Sequence, residues 1–161
     1  MFRYAIFALV ALLSAVTTAR AVITLDEARR AQPRYERPIA AVARIARADD
    51  GHYWATGQVA GEQVRFLVDT GATAVSLTPA DARRFGIDPR ALTYDYEVIT
   101  AQGRARAAAV RLAALSVDGA TIRDVDALVI EKGLETSLLG MSYLGRLSRF
   151  EATPTALVLR P

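Results

Sequence analysis

From Tyr53 onward, apolar positions fall in short runs, several of them alternating with polar ones, and turn residues separate the runs. That spacing predicts strands. "YWATGQV" predicts one strand, Ala60-Gly61 a hairpin turn, and "QVRFLVD" the strand that returns beside it. Phe66, Leu67 and Val68 form a continuous apolar run, expected to be buried on both faces. "AVSL" predicts the next strand. Thr78 then caps a short helix, with Pro79 at its first position, Ala80 to Phe85 continuing it and Gly86 as its stop. "TYDYEVITAQGRARAAAVRL" gives two arms around Ala101-Gln102-Gly103, a tip whose glycine suits a positive φ. "AALSV", a turn at Asp118-Gly119, "TIRDV" and "ALVI" follow. "SLLGMSYLGRL" passes from a buried strand at Leu138 and Leu139, through Gly140, into a short helix, and "SRFEAT" and "TALVLR" close the chain as strands. The pattern is that of an all-β domain without an internal repeat.

The chain before Tyr53 reads differently. Arg3, an apolar stretch from Tyr4 to Val16 and the small-residue site Ala19-Arg20-Ala21 have the layout of a secretory signal peptide, with an uncleaved membrane anchor over residues 4–19 as the rival. Either way the remaining chain is expected to be exported: periplasmic, or periplasm-facing on the inner membrane. Residues 22–50 hold prolines and many arginines and are expected to be a linker or pro-segment, with a short helix near Leu25–Ala31. The folded domain is then expected over residues 51–161.

Composition narrows the chemistry. The 161 residues are 52% hydrophobic and 23% charged with a net charge of +3, which is globular. The arginines are spread along the chain with no aromatic-interleaved basic run, so nucleic-acid binding is not expected. Without cysteine there is no disulfide, thiolate nucleophile or lipid-accepting thiol. The single histidine, His52, reads as a strand-end residue. One histidine and no cysteine leave no His-rich or thiolate zinc site, no G-x-S-x-G turn offers a triad serine, and without a P-loop or G-x-G-x-x-G no nucleotide cofactor is expected.

One stretch stands out: "RFLVDTGATAVSLTP", residues 65–79. An apolar strand delivers Asp69 to a turn, Thr70 offers a hydroxyl, Gly71 allows backbone N–H groups to face the carboxylate, and a second apolar strand leaves. Alone, Asp-Thr-Gly reads as an Asx-type turn in which Asp69 bonds its own backbone. In order with the capped helix, the glycine-tipped hairpin and the later Leu-Leu-Gly, the chain resembles the retropepsin-like aspartic proteases, and among them the bacterial single-domain members that are exported or membrane-tethered. The resemblance covers about Tyr53 to Pro161 and is most specific in "FLVDTGATAVSLTPADARRFGI".

The resemblance implies a closed all-β acid-protease barrel with one or two short helices. It implies that Asp69 is catalytic, that Thr70, Gly71 and Ala72 complete the active-site loop, and that Thr100, Ala101, Gln102 and Gly103 form a flap. Leu138, Leu139 and Gly140 would cross behind the loop. No cofactor or metal is implied. Aspartic proteases use two carboxylates that share one proton, and this chain has one such motif; the expected enzyme is therefore a homodimer acting on an extended peptide. Asp49, Asp50, Asp81, Asp118, Asp124 and Asp126 lack the context of Asp69 and are assigned structural roles. Leu67, Val75 and Leu139 are expected to form apolar subsites, and Arg104 and Arg106 to favour acidic residues further out. Expected substrates are an envelope protein or the chain's own residues 22–50. The rival function is a non-catalytic acid-protease fold that binds peptides or scaffolds a complex in the cell envelope.

Overall fold

The computed structural model describes residues 42–161. The signal-peptide or anchor segment, and the linker up to residue 41, lie outside the described residues.

Strands β2 (Trp54–Val59) and β3 (Glu62–Val68) form the first hairpin, in register from Trp54 opposite Leu67 to Val59 opposite Glu62. Their two-residue turn has positive φ at both Ala60 (51°) and Gly61 (91°), the primed geometry whose twist suits flanking strands. After the Asp-Thr-Gly loop comes β4 (Val75–Leu77), then α1 (Pro79–Arg84). Thr78 caps α1 by accepting from the Asp81 amide, and Gly86 (φ 76°) ends it. Strand β5 (Tyr96–Thr100) pairs with β6 (Gly103–Val117), and β6 with β7 (Ala120–Ile130) across a second positive-φ turn at Asp118 and Gly119. The runs expected as separate strands are thus the two ends of two long ones. Strand β8 (Ser137–Leu139), helix α2 (Met141–Leu144), β9 (Arg149–Ala152) and β10 (Ala156–Arg160) complete the order.

The strands β2-β3-β8-β4-β7-β6 are hydrogen-bonded in that order, and β2 pairs with β6 to close a six-stranded barrel; β5 extends from β6 as an outer arm. Inside are Val64, Phe66, Val75, Leu77, Leu112, Leu115, Val125, Val129 and Leu139, all buried. Phe66 is fully buried, but Leu67 and Val68 are only half-buried, so the apolar run is not covered on both faces. Gly57 faces Phe66: a Cβ there would come within 2.6 Å of its ring, and the bare position lets the ring fill the barrel.

The boundary expected at residue 51 moves. Strand β1 (Ala43–Ala46) runs antiparallel to β10, which also pairs with β9. Ala43 and Ile45 are buried with Leu157 and Leu159 in the common core. The last part of the expected linker is therefore a strand of the domain. Its four residues alternate buried and exposed, and the exposed Arg44 gave it the look of the basic segment before it.

Candidate active site

Strand β8 builds the site. It lies between β3 and β4, parallel to β3 (Leu67 opposite Leu138, Val68 opposite Leu139) and antiparallel to β4 (Ser76 opposite Leu138). The Asp-Thr-Gly loop that joins β3 to β4 must therefore arch over the end of β8. Two hydrogen bonds hold it there: the Asp69 amide donates to the Leu139 carbonyl (3.2 Å), and the Met141 amide donates to the Ala72 carbonyl (2.8 Å). Gly140 sits where the two backbones touch. A Cβ on it would lie 2.2 Å from the Ala74 oxygen and 2.7 Å from the Ala72 oxygen.

Within the loop the Gly71 amide donates to Asp69 Oδ1 (2.8 Å), and the Ala72 amide to the Asp69 carbonyl (3.3 Å). The carboxylate is fixed through one oxygen and half-buried; Thr70 and Gly71 are exposed at the loop's crest. From below, the Ser142 hydroxyl accepts from the Val75 amide (2.9 Å) and donates to the Asp126 carbonyl (2.6 Å), joining α2 to β4 and β7. At the other end of β4, Ser137 donates to Asp81 Oδ2 (2.6 Å) and accepts from the Thr78 amide (3.1 Å), and Thr78 Oγ1 donates to the same carboxylate oxygen (3.0 Å). Asp81 thus ties the capping Thr78 hydroxyl of α1 to Ser137 of β8. Its structural role was expected; the link to Ser137 was not, and only the fold brings the two positions together.

Above the loop, the β5–β6 hairpin turns through Ala101 and Gln102. Thr100 Oγ1 accepts from the Gln102 amide (3.2 Å) and donates to the Gly103 carbonyl (3.0 Å), and Gly103 has φ 111°. Arg104 pairs with Glu97 across the arms. At the base, the Arg106 guanidinium donates to the Tyr94 carbonyl (3.0 and 3.1 Å), and the Tyr94 hydroxyl to the Pro89 carbonyl (3.1 Å). Partial burial, assisted by the negative charges of Glu131 and Asp88, raises the Tyr94 pKa. Ile99 on this arm is 85% exposed, which leaves an apolar side chain available for contact.

Loop and hairpin enclose a cleft of about 630 Å³. Asp69, Gly71 and Ala72 line it, as do Thr100, Ala101, Gln102 and Leu138; Thr70, Gly103, Leu139 and Gly140 do not. The expected apolar subsites need correction. Leu67 lines the cleft, but Val75 and Leu139 are fully buried in the barrel. Side chains alternate along a strand, so neighbours in sequence face opposite ways. The outward row runs across four strands as Leu67, Leu138, Ser76 and Leu128, each opposite the next in register, with Ile130 further along β7. Leu134 and Glu135, from the loop before β8, also line the cleft. Sequence reasoning missed Leu128, Ile130, Leu134 and Glu135, which lie about sixty residues from Asp69 and join it only through strand register. Arg104 and Arg106 line a separate depression of about 240 Å³ with Glu131 and Lys132, not the cleft. Among the described residues, no group of three or more metal-ligating side chains occurs.

The family described as "gag-polyprotein putative aspartyl protease" matches residues 55–146, from β2 through α2. This chain belongs to the gag-polyprotein aspartyl protease family. The crystal structure of a retropepsin-like aspartic protease from Rickettsia conorii superposes with a TM-score of 0.67 at 34% identity, over 74% of this chain and 98% of that one. The retropepsin-like barrel expected from the sequence is thereby established. An uncharacterized protein in the cobV 5′ region of Sinorhizobium sp is 43% identical over 112 residues, 69% of this chain and 48% of its own length. The uncharacterized protein RP867 of Rickettsia prowazekii (strain Madrid E) is 36% identical over 115 residues, 71% of this chain and 49% of its own length. The chain spans about half the length of these curated relatives.

Proposed function

We propose that the protein is an aspartic endopeptidase that works as a homodimer, with Asp69 of each protomer facing the other across a two-fold axis. The observation that carries this reading is the single carboxylate at the floor of the cleft, fixed through one oxygen by the Gly71 amide, in a loop clamped by β8 and roofed by the hairpin. One such loop occurs in the chain, and a two-fold axis supplies a second.

In this mechanism one Asp69 is ionised and takes a proton from water as the oxygen attacks the peptide carbonyl carbon. Its partner, protonated, donates to the carbonyl oxygen. The tetrahedral diol then collapses: the C–N bond breaks, a carboxyl group forms, and the amine leaves with a proton from the dyad. Two carboxylates so close share one proton because both cannot ionise together. Thr70, exposed at the crest, hydrogen-bonds across the axis. Gly71 and Ala72 form the substrate floor, and residues 100–103 close over an extended peptide. The enzyme acts in the cell envelope, exported by residues 1–21. Self-processing of the chain's own N-terminal segment cuts ahead of β1, because a cut within Ala43–Ala46 removes a core strand.

The test pairs sedimentation with activity. The expected result is a dimer, stabilised by a transition-state peptide inhibitor, whose hydrolysis of peptides disappears in Asp69→Asn. A monomer that cleaves peptides, or full activity in Asp69→Asn, overturns the mechanism. Tight peptide binding without turnover supports the scaffolding role instead.

A further inference from the structure

Three charged side chains line the cleft, and all three are carboxylates: Asp69, Glu97 and Glu135. Glu97 is paired with Arg104. Glu135 is exposed, and among the described residues it enters no ion pair. It precedes Leu138 by three residues, and Leu138 lies between Leu67 and Ser76 in the outward row, with Leu128 next beyond Ser76. The cleft therefore combines an aliphatic wall with a carboxylate. A side chain complementary to both has an aliphatic stem and a cationic head, which describes lysine and arginine. An acidic side chain would meet like charge instead.

We propose that the cleft selects peptides with a lysine or arginine flanking the bond to be cut, and that Glu135 is the specificity-determining residue. This rests on the endopeptidase reading above and names its substrate class. It reverses the preference expected from Arg104 and Arg106, neither of which lines the cleft. The chain itself carries a segment of this chemistry, residues 29–37, with arginines at 29, 30, 34 and 37.

The test uses synthetic peptides that span residues 27–42 and a second, unrelated series, each varied at one flanking position among lysine, arginine, norleucine and glutamate. Values of kcat/KM are measured for the wild type, Glu135→Gln and Glu135→Lys, with Asp69→Asn as the blank, at about pH 6, above the ordinary glutamate range. The wild type is expected to prefer the cationic peptides to norleucine by about fivefold, the upper end for a solvent-facing ion pair. Salt at about 1 M should flatten that preference. Glu135→Gln should remove it, and Glu135→Lys should turn it toward glutamate. Glu135 is exposed, so neither substitution disturbs the core. Equal cleavage of all peptides by the wild type, or an unchanged preference in Glu135→Gln, overturns the specificity and leaves the endopeptidase standing. A folded wild type that cleaves neither series overturns both.

Discussion

Replacing Gly140 by alanine tests the clamp behind the active-site loop. Gly140 has φ −94° and ψ −173°, an extended conformation that alanine adopts freely, so backbone strain contributes nothing. What is missing is space. The added Cβ would lie 2.2 Å from the Ala74 oxygen, 2.6 Å from the Ala74 carbonyl carbon and 2.7 Å from the Ala72 oxygen. All three are backbone atoms, and no rotamer change relieves the contact. Strand β8 must instead draw away from residues 72–74, which opens the bonds from Met141 to Ala72 and from Asp69 to Leu139. Each bond lost costs about 0.5–1.5 kcal/mol net, and forcing a methyl into a filled site about 1–3 kcal/mol. The sum, about 2–6 kcal/mol, is a large share of the roughly 5–15 kcal/mol that holds a domain folded. Equilibrium urea unfolding reads it: with m about 1–3 kcal/mol/M, a loss near 3 kcal/mol lowers the midpoint by about 1–3 M. A midpoint within about 0.3 M of the wild type would refute the reasoning, because the loop would then tolerate a shift that its geometry forbids.

Two other outcomes follow from buried polar groups. Ser137→Ala removes the donor to Asp81 and the acceptor for the Thr78 amide, and should destabilise the domain by about 1–3 kcal/mol in the same urea assay. The hydroxyl of Tyr143 is buried and donates to the Ala120 carbonyl (2.6 Å), and burial raises its pKa far above the usual tyrosine value. The folded state then holds that proton more tightly than the unfolded chain does. The associated stability is fully present below the usual tyrosine value of about 10 and is lost as pH rises above it. Tyr143→Phe should therefore show a shallower decline of unfolding midpoint above about pH 10 than the wild type, and identical slopes would contradict it.

Local chemistry made much of this molecule legible. Thr78-Pro79 and Gly86 bound a real helix, and Ala60-Gly61 and Asp118-Gly119 are the turns their dipeptides promise, because each is decided by residues in contact along the chain. Asp69 could be singled out because its neighbours in sequence are its neighbours in space. Errors arose where register decides. Val75 and Leu139 are as apolar as Leu67 and Leu138, and only the pairing of β3, β8 and β4 shows which of them face the cleft. Strand β1 was missed because its partner, β10, lies more than a hundred residues away. Glu135 carried no signal, being one acidic residue in a polar loop until the fold makes it line the same cleft as Asp69.

The position of β8 has a consequence for how the protein is made. Strands β3 and β4 are six residues apart in sequence, yet the strand between them begins at Ser137. A growing chain that has emerged only as far as β7 has no partner for either inner edge, and the Asp-Thr-Gly loop then has nothing to arch over. Contacts of such long sequence separation form slowly, since a long loop must close before they gain anything. The bonds that fix the Asp69 loop, to the Leu139 carbonyl and from the Met141 amide, thus need residues about seventy positions further along the chain. A chain of this fold carries no fixed Asp69 loop while those residues are still to be made, and the insertion of three residues, Ser137 to Leu139, is the step that sets the loop in place.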